Sequence, residues 1–240
     1  LVRGEDDVLN ELDENAVEAA VQLVEEHGGE VIALTMGPED AEDALMRALQ
    51  MGADRGVLIT DERLAGADAG LTALALAAAI QRINEDGGID LVVTGMASLD
   101  SMTSMLPAAL ATRLGMPLLG LAHSIEVDPG SSRVTIGRTV DGYDDELAAQ
   151  MPLVVSVTDQ INEPRYPAFA AMKAARKKPM DHMDLAELAS TPAGALIEGR
   201  PRVIEVLKTD EVVRESAGTI IPDSGDAGAR LAAYLLEVVK

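Results

Sequence analysis

The chain has 240 residues, of which 48% are hydrophobic and only 2% are aromatic, so one large domain can bury a core of aliphatic side chains. Its 41 Asp and Glu residues outnumber its 19 Lys and Arg residues, and a net charge of −22 argues against binding to nucleic-acid phosphates. Without cysteine there are no disulfides and no Cys-ligated metal centres, and no apolar run is long enough for a membrane span. We expect a soluble, cytoplasmic protein without a metal, and the scarcity of lysine suggests a halophilic source.

The first half of the chain alternates between helical and strand patterns. A helical stripe follows Asp13, a candidate helix cap, and ends at the glycine pair 28–29. Further on, strands are predicted over 31–35, 56–60 and 89–94, and helices over 41–49, 69–84 and 103–114. Short loops between alternating strands and helices predict a doubly wound α/β fold, with a mostly parallel sheet covered by helices on both faces.

From residue 118 the pattern changes to strands joined by tight turns. Strands are predicted over 124–127, 133–140 and 153–158, forming an antiparallel extension of the sheet. Beyond residue 190 one strand over 203–207 and a helix over 227–238 are predicted. The expected domains are therefore an α/β domain over residues 1–190 and a C-terminal extension over 191–240, which could pack on this domain or on a partner.

Two loops are candidates for a binding site, because ligands of doubly wound sheets bind beyond the carboxyl ends of the strands. They cover residues 35–38 and 94–104, and the second is rich in small and hydroxyl side chains. Its N–H groups and hydroxyls could hold a phosphate, although Asp100, Ser101 and Thr103 are also ordinary helix caps. Neither a GxGxxG fingerprint nor a P-loop is present, and no nucleophile–base pair is recognisable. The residues alone favour a binding or carrier role over catalysis.

The most specific pattern lies in residues 157–179, which read VTDQINEPRYPAFAAMKAARKKP. The N-E-P-R-Y-P sequence, followed by a run of Met, Lys and Ala that ends in basic residues, resembles the signature of the electron transfer flavoprotein beta subunit. The stretches 9–18, 48–56 and 90–95 are similar to the same family. The resemblance covers nearly the whole chain and is weakest beyond residue 190.

The resemblance implies a Rossmann-like nucleotide-binding fold of the adenine nucleotide alpha hydrolase type and two cofactors. An alpha subunit would hold most contacts to the redox-active FAD, and the beta subunit would hold a structural AMP. Leu12 matches a position that approaches the flavin ring from the beta side. The cofactor-binding positions that the resemblance implies are Asn10, Glu11, Leu12, Asp13, Met36, Gly95, Met96, Ala97, Ser98, Leu99, Asp100, Ser101, Met102, Thr103 and Ser104.

The resemblance also makes residues 162–179 a recognition loop that docks partner dehydrogenases. Phe169, the only Phe of the chain, falls where the family carries an apolar anchor that enters a pocket on the partner. The alternative is that Phe169 packs this segment onto its own domain. The other residues implied in docking are Arg165, Met172, Lys173, Lys177 and Lys178, and the extension over 191–240 is expected to pack on the alpha subunit.

The implied function is electron carriage by a subunit without catalytic residues of its own. Electrons would pass from flavin dehydrogenases, such as the acyl-CoA dehydrogenases of fatty acid β-oxidation, towards a membrane quinone oxidoreductase. One alternative is an electron-bifurcating relative with a second FAD in place of AMP, although residues 100–105 lack the D-G-D-T-A-Q-type stretch of such members. Another is a nucleotide-binding stress protein without a redox partner.

The chain starts past the apolar strand and K-x-V-P-D-T-like turn with which family members usually begin. That strand and one AMP-side contact are therefore expected to be missing from it.

Overall fold

The computed structural model describes residues 8–98, 103–200, 203–204, 206–208, 210, 212 and 223–238. The chain divides into two compact units, with the boundary between residues 205 and 206. The helices of the first unit are α1 (Glu11–His27), α2 (Glu42–Met51), α3 (Ala69–Gly87), α4 (Leu106–Leu114), α5 (Phe169–Ala175) and α6 (Leu185–Leu188). Its strands are β1 (Ile32–Met36), β2 (Arg55–Ile59), β3 (Leu91–Gly95), β4 (Leu118–Ala122), β5 (Ser124–Asp128), β6 (Arg133–Val140), β7 (Tyr143–Gln150), β8 (Leu153–Val157) and β9 (Met180–Met183). The second unit contains α7 (Ala227–Val238), which confirms the predicted C-terminal helix.

Capping interactions set the ends of the longer helices. The Asp68 carboxylate accepts the Leu71 N–H at 2.8 Å at the start of α3, and Gly88, at a φ of 89°, ends this helix. The prediction that Asp13 caps α1 is wrong. The helix begins at Glu11, and the Asn10 carbonyl accepts the N–H groups of Asp13 and Glu14. The Asp13 side chain is thereby available for a contact outside the helix.

The nine strands of the described residues form three sheets of three strands each. Sheets β1–β2–β9 and β3–β8–β4 are parallel, and sheet β5–β6–β7 is antiparallel. The mixed α/β architecture with parallel strands and an antiparallel extension is therefore confirmed. The expected single parallel sheet is divided in two, because within the described residues β1 pairs with β2 and β3 pairs with β8, but β1 and β3 do not pair with each other.

Two strand predictions in the second half of the chain are wrong. The strand predicted over 153–158 does not continue the meander: β8 pairs in parallel with β3 and β4, and the third meander strand is β7. All five residues of β8 are buried, as in a strand covered on both faces. The predicted strand over 203–207 is absent at those of its positions that the structure describes.

Helices cover the parallel sheets on both faces, as predicted. Leu34 of β1 and Val92 of β3 pack against the cluster formed under α3 and α4. The neighbouring residues Ala33 and Val93 point to the opposite face, where they pack against clusters that involve α1 and α2. The start of α1 thus lies over the same parallel sheet as the end of β3.

All four aromatic side chains of the chain are exposed. The exposed fractions are 73% for Tyr143, 87% for Tyr166, 80% for Phe169 and 61% for Tyr234. The core is built instead from aliphatic residues and methionine, among them Leu49, Met51, Leu74, Ile136 and Leu153. In the described residues, no helix combines the length and apolarity that crossing a membrane requires.

Candidate functional site

The first turn of α1 meets the carboxyl end of β3, and this contact joins residues that the resemblance assigned to cofactor binding. The Gly95 N–H donates to Asp13 Oδ1 at 2.8 Å. Asn10 Nδ2 donates to Asp13 Oδ2 and to the Ala97 carbonyl, both at 2.9 Å. Asn10, Asp13, Gly95 and Ala97 therefore form one hydrogen-bonded group, although more than 80 residues separate the two sides.

Gly95 permits this contact because it has no side chain. A Cβ atom at Gly95 would lie 2.7 Å from the Leu12 carbonyl oxygen and 2.7 Å from Asp13 Oδ1, closer than real Cβ contacts. The close approach places half-buried Leu12 at the edge of the sheet, next to the end of β3.

Two buried polar atoms in and beside this group, Asn10 Oδ1 and Thr94 Oγ1, have no hydrogen-bond partner among the residues that the structure describes. Buried polar atoms are rarely left unpaired, since the loss of hydration is then uncompensated. A bound molecule with N–H or O–H groups would satisfy both atoms. Thr94 begins the loop over 94–104 that was predicted as a candidate binding site from its place at the carboxyl end of a strand, although the resemblance did not include it among the cofactor-binding positions.

The loop after β3 is closed by a short antiparallel bridge. The Ser98 N–H donates to the Thr103 carbonyl at 3.0 Å, and Thr103 Oγ1 accepts the Met105 N–H at 3.3 Å, just before α4. Half-buried Met96 lies before this bridge, and exposed Ser104 follows it. The predicted residues Leu99, Asp100, Ser101 and Met102 lie outside the described residues.

Two predicted cofactor residues, Met36 and Glu11, are not members of the hydrogen-bonded group of Asn10, Asp13, Gly95 and Ala97. Met36 ends β1 on the other parallel sheet, and its half-buried side chain packs against the cluster under α3. Glu11 is exposed in the first turn of α1. No group of three or more His, Asp or Glu side chains within the described part of the chain is arranged to hold a metal ion.

The predicted docking segment presents two exposed aromatic side chains. Phe169 is the first residue of α5 and is 80% exposed, so it does not pack this segment onto its own domain. Tyr166 lies three residues earlier, and the Arg47 guanidinium stacks on it at 5.7 Å from the ring centroid. Met172, on the same helix, is half-buried.

The basic residues of the segment fall into two groups. Arg165 pairs with Glu18 and Glu25 of α1 at 2.7 Å each, and Lys178 Nζ donates to three carbonyl oxygens at the end of α2. Lys173, Arg176 and Lys177 are exposed. Only the exposed residues can offer their charge directly to another protein.

The ion pairs of Arg165 shift the pKa values of all three partners. Burial opposes the ionisation of Glu18, but hydrogen bonds from Arg165 and Gln22 outweigh it and lower the pKa of this carboxyl. Hydrogen bonds from Arg165 also lower the pKa of Glu25, while those to Glu25 and Glu18 raise the pKa of Arg165. The pairs are therefore fully ionised at neutral pH.

The second unit presents apolar side chains to solvent along α7. Leu231, Tyr234, Leu235, Leu236 and Val238 are between 49% and 76% exposed. Such a concentration of exposed apolar residues is typical of a surface that another protein covers.

A family model and the similar proteins of several bacteria point to the same family over most of the chain. The family model described as the electron transfer flavoprotein domain matches residues 1–188. The electron transfer flavoprotein subunit beta of Mycobacterium leprae is 37% identical, over 96% of this chain and 86% of the relative. The subunit of the same name from Megasphaera elsdenii is 30% identical, over 93% of this chain and 83% of the relative. Protein FixA of Azorhizobium caulinodans is 40% identical, over 70% of this chain and 61% of the relative.

Proposed function

The chain belongs to the electron transfer flavoprotein family, and we propose that it is the beta subunit of a heterodimer that carries electrons from flavin dehydrogenases towards a membrane quinone oxidoreductase. Acyl-CoA dehydrogenases of fatty acid β-oxidation are the donors that we favour. The observation that carries the proposal is the similarity to beta subunits over almost the whole chain. Members of this family are electron carriers rather than enzymes, and in our proposal this subunit contributes no catalytic residue.

FAD supplies the redox chemistry when bound, and we propose that the alpha subunit holds most of it. Leu12 would approach the flavin from the beta side, since it lies half-buried at the edge of the sheet beside Gly95. The family membership also supports a Rossmann-like fold of the adenine nucleotide alpha hydrolase type, and the helices on both faces of the parallel strands agree with it.

A structural AMP is the ligand that we propose for the group around Gly95. The unpaired atoms Asn10 Oδ1 and Thr94 Oγ1 fit this ligand, because its amino and hydroxyl groups can pair with both. The described residues of the loop that follows β3, Met96, Ala97, Ser98, Thr103 and Ser104, would contribute to binding its phosphate. The ligand would thereby stabilise the contact between α1 and β3.

Two surfaces of the chain are proposed to contact other proteins. Phe169, Tyr166 and the exposed cations Lys173, Arg176 and Lys177 form what we call the docking surface, which fits a dehydrogenase with an apolar pocket and acidic surroundings. The apolar side chains of α7, in the extension beyond residue 190, would pack on the alpha subunit. A cytoplasm of high salt is the proposed location, because the charge of −22 is tolerated best where salt screens it.

The cofactor content of the purified heterodimer tests the proposal. The chain and its alpha subunit are co-expressed, the complex is denatured, and released FAD and AMP are quantified by chromatography. We expect one FAD and one AMP per heterodimer, and little FAD on the beta subunit alone. Two FAD molecules and no AMP would favour the electron-bifurcating alternative, and purification without any flavoprotein subunit would favour a stress protein.

A Thr94→Val variant shows whether AMP lies where we propose. Valine keeps the shape but lacks the unpaired hydroxyl, so AMP content should fall while FAD content stays unchanged. Thr112→Val serves as the control, because its exposed hydroxyl donates to the Ala108 carbonyl on the same helix. Equal AMP content in both variants would place the ligand elsewhere.

A further inference from the structure

Helix α1 holds the chain segment that precedes Phe169 through buried polar side chains. Asn15 Nδ2 donates to the carbonyl of Asn162 at 3.0 Å, and Asn162 Nδ2 donates back to the Asn15 carbonyl at 3.0 Å. One turn later, Glu18 binds Arg165, although this glutamate is only 3% exposed. Buried acidic residues are rare, because removing a carboxylate from water is unfavourable unless it is paired.

Each carboxylate oxygen of Glu18 accepts two hydrogen bonds. Arg165 Nε donates to Oε2 at 2.7 Å and Nη2 donates to Oε1 at 3.0 Å, which forms a two-pronged contact. The Arg165 backbone N–H donates to Oε2 at 3.1 Å, and Gln22 Nε2 donates to Oε1 at 2.7 Å. Glu18 therefore fixes the backbone of Arg165 as well as its side chain. Glu25, which is exposed, accepts hydrogen bonds from the guanidinium and, among the described residues, none from the Arg165 backbone.

A second connection leads from α1 to Tyr166. Arg47 of α2 donates from Nε to Glu14 Oε1 at 2.9 Å and stacks on the Tyr166 ring. Three residues of the segment, Asn162, Arg165 and Tyr166, are thereby connected to α1, the last of them through Arg47 of α2. Pro164 in this stretch further restricts its backbone.

Phe169 lies three positions after Tyr166, the last residue of this fixed segment. Its side chain is 80% exposed and therefore makes few contacts with its own domain. An exposed anchor of this kind takes its position from the backbone that carries it, and a fixed backbone loses less entropy on binding. We propose that Glu18 is a positioning residue for dehydrogenase docking, which orders the segment that presents Tyr166 and Phe169. This inference rests on the proposed function, since it assumes that the docking surface meets the dehydrogenase.

The test combines segment mobility with electron-transfer kinetics of the heterodimer. Because this chain lacks cysteine, Ala170→Cys provides a single site on it for a spin label, while any cysteines of the alpha subunit are replaced beforehand. In Glu18→Gln we expect the label to become more mobile. With unlabelled Glu18→Gln as the electron acceptor, the KM of the donor dehydrogenase for the heterodimer should rise about fivefold or more, with kcat changed less than about twofold and an unchanged flavin spectrum. Glu25→Gln is the matched control, and its KM should change by less than about twofold.

Phe169→Ala separates failure of this inference from failure of the proposed function. With this variant as acceptor, the kcat/KM of the dehydrogenase for the heterodimer should fall by about tenfold or more, while the fold and the cofactor content of the heterodimer persist. A wild-type rate in Phe169→Ala would refute the docking surface itself. If Phe169→Ala is impaired but Glu18→Gln keeps wild-type label mobility and KM, the positioning role of Glu18 is wrong. Should Glu18→Gln not fold, Asn162→Ala removes the neighbouring hydrogen bonds between α1 and the segment, and wild-type label mobility and KM in this variant would refute the ordering of the segment by α1.

Discussion

At the scale of single residues, the basic cluster after residue 162 contains some side chains that are bound within the domain and others that are exposed. The sequence predicts that the basic residues of this segment contact a partner, but Lys178 and Arg165 are bound within the domain. Lys178 Nζ donates to the carbonyls of Leu49, Gly52 and Ala53 at 3.0, 3.3 and 2.6 Å. These carbonyls lie at the end of α2, where unpaired oxygens and the helix dipole favour a cation.

We therefore expect neighbouring lysines to respond differently to substitution. Lys178→Met should lower the free energy of unfolding by about 1–3 kcal/mol, because three carbonyl oxygens lose a charged donor. Lys177→Met should change it by less than about 0.5 kcal/mol, because this side chain is exposed. Urea denaturation of the heterodimer compares the two variants, and equal losses would show that Lys178 does not stabilise α2.

At the scale of elements, the repeated strand and helix units of the first half were predictable because periodicity and glycine punctuation agree there. The elements of the second half were less predictable from the sequence. Strand β7 was missed because its residues 143–146 are Tyr, Asp, Asp and Glu, and acidic side chains are uncommon in strands. Strand β8 was found but placed in the wrong sheet, although its continuous apolar run, unlike the alternation of β5, is typical of a strand covered on both faces.

The candidate site shows a similar limit. Composition indicated the loop after β3, but nothing local to Asp13 indicates that it binds Gly95, because this contact joins residues 82 positions apart. The family resemblance grouped these residues, whereas Thr94 begins the candidate loop over 94–104 and its buried hydroxyl adds a reason specific to this residue. The assignment of Asp13 as a cap failed because Asn10 takes that position.

The contact between α1 and β3 should be sensitive to one methyl group. In Gly95→Ala the new Cβ would meet backbone and side-chain oxygens of α1 at 2.7 Å, so the helix has to move. We expect unfolding free energy to fall by about 1–3 kcal/mol and AMP content to decrease. In Gly87→Ala, at the end of α3, the new Cβ meets no atom within 4 Å, so stability should stay the same or rise slightly. Differential scanning calorimetry tests both variants, and a neutral Gly95→Ala would contradict the close approach.

At the scale of the whole molecule, the charge of −22 is the dominant property. Like charges at the surface repel one another over about 10 Å at 0.1 M salt and over about 3 Å at 1 M. The melting temperature of the heterodimer should therefore rise between about 0.05 M and about 2 M KCl, as self-repulsion is screened.

A charge variant separates screening from other effects of salt on stability. Glu126→Gln combined with Glu146→Gln removes two exposed carboxylates from the antiparallel sheet, so the dependence of the melting temperature on KCl should become shallower. Melting curves that are flat over this range in the unmodified protein would remove the proposed adaptation to high salt, but they would leave the family membership untouched.

The surface position of every aromatic side chain determines what ultraviolet spectroscopy can report about this subunit. Near-ultraviolet signals of folded proteins usually come from aromatic rings fixed in the core, and here the three tyrosines and the single phenylalanine are all exposed. Loss of the core alone therefore changes their surroundings little, apart from the contact of Tyr166 with Arg47. Burial of Tyr166 or Phe169 beneath a bound protein alters them strongly. Tyrosine fluorescence of this subunit is accordingly a probe of association, and unfolding is better followed through the backbone.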